Sequence, residues 1–223
     1  MENNYNYFNK ILVACEESQA VTIAFRNLGF KAYSCDVKDC SGGHPEWHIK
    51  KDVRDIILQG WDCMIAFPPC QYLSSVGNRW LNEEKYREKA RLRKRLRLEA
   101  FGFFYLLWNT PIAHICLENP AGYVNSHFYK RPQIINPFNF GDSERKRTCL
   151  WLKDLPPLIH TTPGAEPPEP KAYYKSGPKA GKPIYFSDSH GFSKDRAAVR
   201  ARTFPGIAMA MAAQWGAFLK EKL

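Results

Sequence analysis

Short apolar runs and segments of helical spacing alternate through the first 120 residues, and this alternation constrains the fold more than any other feature. Ile11-Leu12-Val13-Ala14-Cys15 is apolar and ends in Glu16-Glu17-Ser18-Gln19, the pattern of a buried strand. Ala20 to Leu28 follows with Val21, Ala24, Phe25 and Leu28 on one helical face, and Gly29 closes it. Lys31 to Val37 is predicted as a second strand, closing on Asp36. Asp52 to Gln59 suits a short helix stopped by Gly60. Trp61 to Phe67 is a third strand, ended by Pro68-Pro69. Glu83 to Trp108 is a long helical region with a strongly apolar second half. His114 to Leu117 is a fourth strand, stopped by Glu118-Asn119-Pro120. Strand–helix–strand repetition of this kind predicts an α/β fold with a doubly wound, mostly parallel sheet and helices on both faces.

The second half is less regular. Pro156 to Pro183 is crowded with proline and glycine and has no periodicity, so it is expected as a long loop or small irregular subdomain. Phe204 to Leu219 recovers a helix, with Ala208, Met211, Ala212, Trp215 and Phe218 on its inner side. The expected organisation is a core over 1–155, an irregular insertion over 156–199, and a C-terminal helix over 200–223 that returns to the core. A chain of 223 residues buries enough core to fold without disulfide or metal staples. Its seven cysteines are expected as thiols in a reducing, cytoplasmic compartment. No apolar run approaches the ~20 residues of a membrane span, and Met1 to Lys10 is too polar for a signal peptide. The formal net charge of +10 favours a polyanionic partner.

In an open α/β sheet, ligands bind beyond the carboxyl ends of the strands. Those ends carry Cys15, Glu16, Glu17 and Ser18, then Asp36, then Pro68-Pro69-Cys70-Gln71, then Glu118 and Asn119. Asp36 suits a ribose diol, since one carboxylate can accept two hydrogen bonds; a turn aspartate is the other reading. Cys70 follows two prolines at the end of a buried strand, which suits a nucleophile at the rim as well as a plain small apolar residue. Glu118 closes another apolar strand, where a carboxylate without a task is costly. A thiol paired with a carboxylic acid suits attack on an electron-poor ring. Cys35, Cys40, His44 and His48 have spacings a zinc ion could use, but no CxxC pair is present and no metal is expected. Lys85 to Arg97 carries eight basic residues, which suit either a phosphate track or a solvated helix face.

At these residues the chain resembles the DNA cytosine-C5 methyltransferases. Phe67-Pro68-Pro69-Cys70-Gln71 is similar to their Pro-Cys motif, Glu118-Asn119-Pro120 to their Glu-Asn motif, and Ser143-Glu144-Arg145-Lys146-Arg147 to their Arg-x-Arg motif. Arg202 to Ala213 is similar to the helix that returns to the cofactor pocket. The compact group carried by bacteriophages and prophages is the nearest in pattern. The chain departs from the family in its first loop, Ala14 to Gln19, which has no glycine, and only the residues near 156–199 could stand in for a target-recognition domain. An amino-methyltransferase fits less well, because Phe67 and Cys70 occupy the places of its polar acceptor and stacking ring.

The resemblance implies a Rossmann-like class I methyltransferase without a full target-recognition domain, acting in the cytoplasm of a bacterial or phage-infected cell; the oligomeric state stays open, with a monomer favoured. It implies S-adenosylmethionine held by Cys15, Glu16, Ser18, Asp36, Asp52 and Pro68. Cys70 would be the nucleophile toward a flipped cytosine and Glu118 its partner at N3, with Arg145 and Arg147 on the base or its phosphate. DNA would be met by Gln71, Arg79, Arg91, Arg93 and Arg95. Tyr173, Tyr174, Lys175, Lys179 and Lys182 are expected to stack bases and meet phosphates from the insertion. A non-catalytic nucleic-acid-binding relative, and an enzyme acting on C5 of a free pyrimidine nucleotide or with another one-carbon donor, remain as alternatives.

Overall fold

A computed structural model of the chain describes residues 10–170, 172–177, 180–185 and 203–222. Lys179 and Arg202, both expected in functional segments, lie outside the described residues. The core is a seven-stranded sheet of β1 (Lys10–Ala14), β2 (Lys31–Asp36), β3 (His48–Lys50), β4 (Cys63–Ala66), β5 (His114–Pro120), β6 (Gln133–Ile135) and β7 (Thr148–Lys153). Its order is β3-β2-β1-β4-β5-β7-β6. The first five strands in chain order pair in parallel, while β7 inserts antiparallel to both β5 and β6. The chain steps outward from β1 to β3 and then crosses back to β4, so the switch point lies between β1 and β4.

Alternation along the strands divides the core into two layers. Ile11, Val13, Cys63 and Ile65 face one side, where they meet α1 (Ala20–Asn27) and the C-terminal helix. Leu12, Ala14, Met64 and Ala66 face the other, against the second half of α2 (Glu83–Trp108). Phe104 of α2 sits edge-on to Trp151 of β7 at 5.2 Å between ring centroids, and both are buried. A short α3 (Tyr123–His127) follows β5.

Helix α1 ends as its sequence demands. Gly29 takes φ 85, Gly29 N–H donates to Arg26 and Phe30 N–H to Phe25, and the Phe25 and Phe30 rings meet at 5.6 Å. Leu28, expected on the inner face, is exposed, because the chain has already turned there.

The expected helix over Asp52 to Gln59 is only a 3-10 turn, Val53–Asp55. The expected C-terminal helix is α4 (Pro205–Ala210), a π-helical segment (Met211–Trp215) and α5 (Gly216–Glu221). Helix α2 is broken near its start, where Arg87 leaves helical geometry at φ 44.

The region after β7 divides in two. Pro156 to Thr162 is fastened to the core: Trp215 Nε1 donates to the Pro156 carbonyl, Gln133 brackets Leu158 with two hydrogen bonds, and Gln214 brackets Ile159. Beyond it, β8 (Ala172–Tyr173) and β9 (Pro183–Ile184) form a two-stranded ribbon carrying the exposed Tyr173. Among the described residues no helix is long and apolar enough to cross a membrane.

Candidate active site at the switch point

The loops after β1 and β4 meet at the switch point, where Phe67 N–H continues the ladder onto the Ala14 carbonyl. The β1–α1 loop has no glycine, yet Cys15 (φ 58) and Gln19 (φ 59) take positive φ there. Each such backbone costs about 1–2 kcal/mol and persists only if the surroundings hold it. Gln19 is fully buried and its amide does the holding. Its Nε2 donates to Ser34 Oγ and the His44 carbonyl, and its Oε1 accepts from His44 N–H. Gly42 lies so close that a Cβ there would stand 2.6 Å from Gln19 Cβ.

A cleft of about 410 Å³ opens beyond the ends of β1, β2 and β4, within the size range of small-ligand sites. Cys15, Asp36, Asp52 and Pro69 line it, with Val53 and Phe103 as apolar walls. Asp36 accepts from Lys38 N–H through Oδ1, and its Oδ2 has no hydrogen bond among the described residues. Asp52 is more committed: Arg54 takes both its oxygens, and this pairing holds its carboxyl down at about pKa 2.

Two residues expected beside a cofactor serve the scaffold here. Glu16 does not line the cleft; it is buried and accepts from Val21 N–H at 2.7 Å, Thr22 N–H at 3.2 Å and Thr22 Oγ1 at 2.7 Å, closing the first turn of α1. Burial lifts its pKa to about 7 against these hydrogen bonds. Pro68 is buried, and its carbonyl accepts from Asn119 Nδ2 at 2.9 Å. Asn119 thus ties the Pro-Pro-Cys loop to the end of β5, a role its place in the sequence did not reveal. Ser18 is half-buried and is not among the cleft-lining residues.

Of the seven cysteines only Cys70 is exposed. Burial raises the thiols of Cys15, Cys63, Cys116 and Cys149, and that of Cys35 to about 11, which keeps them protonated at neutral pH. Cys70 opens a tight turn in which its carbonyl accepts from Leu73 N–H and Ser74 N–H.

Glu118 is half-buried one residue past the register pair Ala66–Leu117 and opposite Leu150. Burial raises its pKa, and Lys146 opposes that rise. It lines a cavity of only about 20 Å³, room for a single water, with Phe67, Lys146, Phe204 and Met211. Of the run 145–147, Lys146 therefore faces Glu118. Arg145 is exposed and donates to Tyr185 Oη at 2.7 Å, and Arg147 is exposed as well.

The residues expected on DNA separate into different settings. Arg79 is exposed over the Trp80 ring. Arg91 is paired with Glu83 and Glu88, and Arg95 lies 3.7 Å from Glu99. Gln71 is exposed, but its carbonyl accepts from Arg93, which also covers the Tyr72 ring. A Cβ at Gly77 would overlap the Arg93 guanidinium. One turn on, buried Arg97 donates to the Tyr72 carbonyl and Asn78 Oδ1. Arg93 and Arg97 thus clamp the segment that follows Cys70.

A mostly parallel seven-stranded sheet whose last strand inserts antiparallel beside the fifth defines a Rossmann-like class I methyltransferase fold. Solved structures similar to the chain include an Entamoeba histolytica methyltransferase, EhMeth, at 13% identity and a TM-score of 0.45, over 72% of this chain and 58% of that one. Another is the S. pombe Dnmt2 methyltransferase, at 14% identity and a TM-score of 0.38, over 65% of this chain and 48% of that one. The chain thus spans about half the length of these structures. No protein-family model and no curated protein matches the chain.

Proposed function

We propose that the protein methylates C5 of cytosine in DNA, with Cys70 as nucleophile and S-adenosylmethionine as methyl donor. The observation that carries this reading is the division of labour along one loop. Pro69 lines the 410 Å³ cleft, the next residue is the exposed thiol of Cys70, and the Pro68 carbonyl is fixed by Asn119 beside Glu118.

The cleft fits an adenosyl group. Val53 and Phe103 offer apolar walls to a purine, and Asp36 offers a carboxylate oxygen to a ribose diol. S-adenosylmethionine supplies an electrophilic methyl group when bound. Cys70, as thiolate, forms a bond to C6 of the cytosine and pushes electron density to C5. Glu118, whose pKa burial raises, donates a hydrogen bond to N3 in its protonated form and stabilises that charge. Transfer to C5 would break the sulfonium–methyl bond and leave S-adenosylhomocysteine; loss of the C5 proton to solvent then breaks the C6–sulfur bond and returns the Cys70 thiolate. Asn119 holds the loop that carries the nucleophile, and Lys146 sets the field at Glu118.

The test is mass spectrometry of nucleosides from DNA incubated with the protein and S-adenosylmethionine. 5-Methyldeoxycytidine is the expected product. A methyl group on the exocyclic amine, or no methylated nucleoside, would overturn the assignment.

A further inference from the structure

The 3-10 helix Ser75–Leu81 and the start of α2 enclose a second cleft, of about 350 Å³, that the proposed chemistry does not use. Its walls are the aromatic Tyr72, Trp80 and Tyr86, the basic Lys89 and Arg93, and Leu92 and Leu96. Trp80 is 41% exposed, the one tryptophan among the exposed large apolar residues. It rests on Tyr86 with ring centroids 5.0 Å apart, which fixes its plane while leaving surface open. The cleft starts two residues beyond Cys70, on the segment that Arg93 and Arg97 clamp.

The charges around it are sorted. Glu83 is taken up by Arg91 and Lys94, and Glu88 by Arg91. Arg79 and Lys85 lie over the Trp80 and Tyr86 rings, and Lys89 makes no ion pair among the described residues. Glu84 alone among the acids of 83–89 makes no ion pair among the described residues, so the basic ends of Arg79, Lys85 and Lys89 outnumber the uncommitted carboxylates beside the aromatic face. That combination recognises a polyanion whose planar groups are unpaired. A base inside a duplex hides its faces against its neighbours, so only an unpaired base can lie on Trp80.

We propose that this cleft is a stacking subsite for an unpaired nucleobase adjoining the reacting cytosine, and that the protein acts on single-stranded DNA. The proposal rests on the cytosine methylation reading and names its substrate class. The base lies against Trp80 and Tyr86, and the neighbouring phosphates meet Lys89 and Arg79.

Fluorescence anisotropy with a labelled oligodeoxycytidylate, alone or annealed to its complement, tests the subsite. Tighter binding of the single strand than of the duplex is expected. Trp80→Ala should weaken single-strand binding about tenfold, the scale of one lost stacking contact, while Trp80→Phe retains most of the affinity. Lys89→Gln, an exposed change that does not touch the core, should reduce the salt slope of binding by about 0.7. Binding of S-adenosylhomocysteine should stay unchanged in all three variants, which shows that the fold is intact. Wild-type binding to the single strand that Trp80→Ala and Lys89→Gln leave unaltered would overturn the subsite alone. Tighter binding of the duplex would overturn the substrate class. Absence of binding to either form would overturn the DNA reading together with it.

Discussion

The two halves of the rim are built on opposite plans. On the β1–β2 side lies an open cleft of about 410 Å³, whose carboxylate Asp36 already presents an oxygen. On the β5–β7 side Glu118 faces about 20 Å³ of space, closed by Phe67, Lys146 and Phe204. The acids of the two halves, buried Glu16 and half-buried Glu118, differ in the same sense. Glu16 has three hydrogen-bond donors within its own loop and helix, whereas Glu118 has no hydrogen bond among the described residues and feels only the charge of Lys146. A buried acid with its donors in place stabilises a scaffold, and one without them is costly to the fold. The β1–β2 side is thus open and the β5–β7 side closed.

The largest expected effect falls on Cys70. Cys70→Ser should reduce methyl transfer by at least about 10³-fold, as loss of a nucleophile does, with S-adenosylhomocysteine affinity intact by calorimetry. Parallel loss of cofactor binding would mean that the thiol belongs to the cleft instead.

Glu16 separates scaffold from site through pH. Its folded pKa of about 7 lies above the ordinary value of 4.5, so between these values the folded state binds more protons than the unfolded one and stability falls as pH rises. The full shift corresponds to about 3 kcal/mol, an upper bound for this one group. Denaturant titrations of wild type and Glu16→Gln across that window should diverge, with the variant flatter. Identical pH profiles would show that its hydrogen bonds already hold the carboxylate charged.

Asp36→Ala should weaken S-adenosylhomocysteine binding about 30-fold, the worth of a charge-assisted hydrogen bond to a diol, without changing the melting temperature. A smaller effect is expected at the closed half. Lys146→Met removes the charge that opposes the rise in the pKa of Glu118, so the loss of turnover on the alkaline side should move to higher pH. An unmoved limb would mean that Glu118 does not act as the protonated acid.

The comparison also explains what the sequence could disclose. β1, β4 and β5 are apolar on both faces and stop at charged or proline residues, so their places and the polar groups at their ends were legible. β3 and β6 have three residues each, too short for any period to register, and their pairing is set by neighbours distant in the chain. The alternation through Arg145-Lys146-Arg147 separates the arginines from the lysine. Which side faces Glu118 follows only from the register of β7, and it is the lysine. The role of Glu16 had a signal in sequence, an acid just before a helix start, outweighed by its position at a strand end. In the basic run, Arg93 and Arg97 looked equivalent to their neighbours, and only tertiary contacts turn them inward onto the Cys70 segment.

Covalent trapping tests the proposed role of Cys70 most directly. In single-stranded DNA carrying 5-fluorodeoxycytidine, the proton that must leave C5 is replaced by fluorine, so the thiol cannot be released once the methyl group has joined. Intact-mass analysis after incubation with S-adenosylmethionine should find protein and oligonucleotide joined, with digestion placing the link on the peptide that contains Cys70. A preparation that methylates unsubstituted DNA yet forms no such link, or forms it at another residue, would contradict the account.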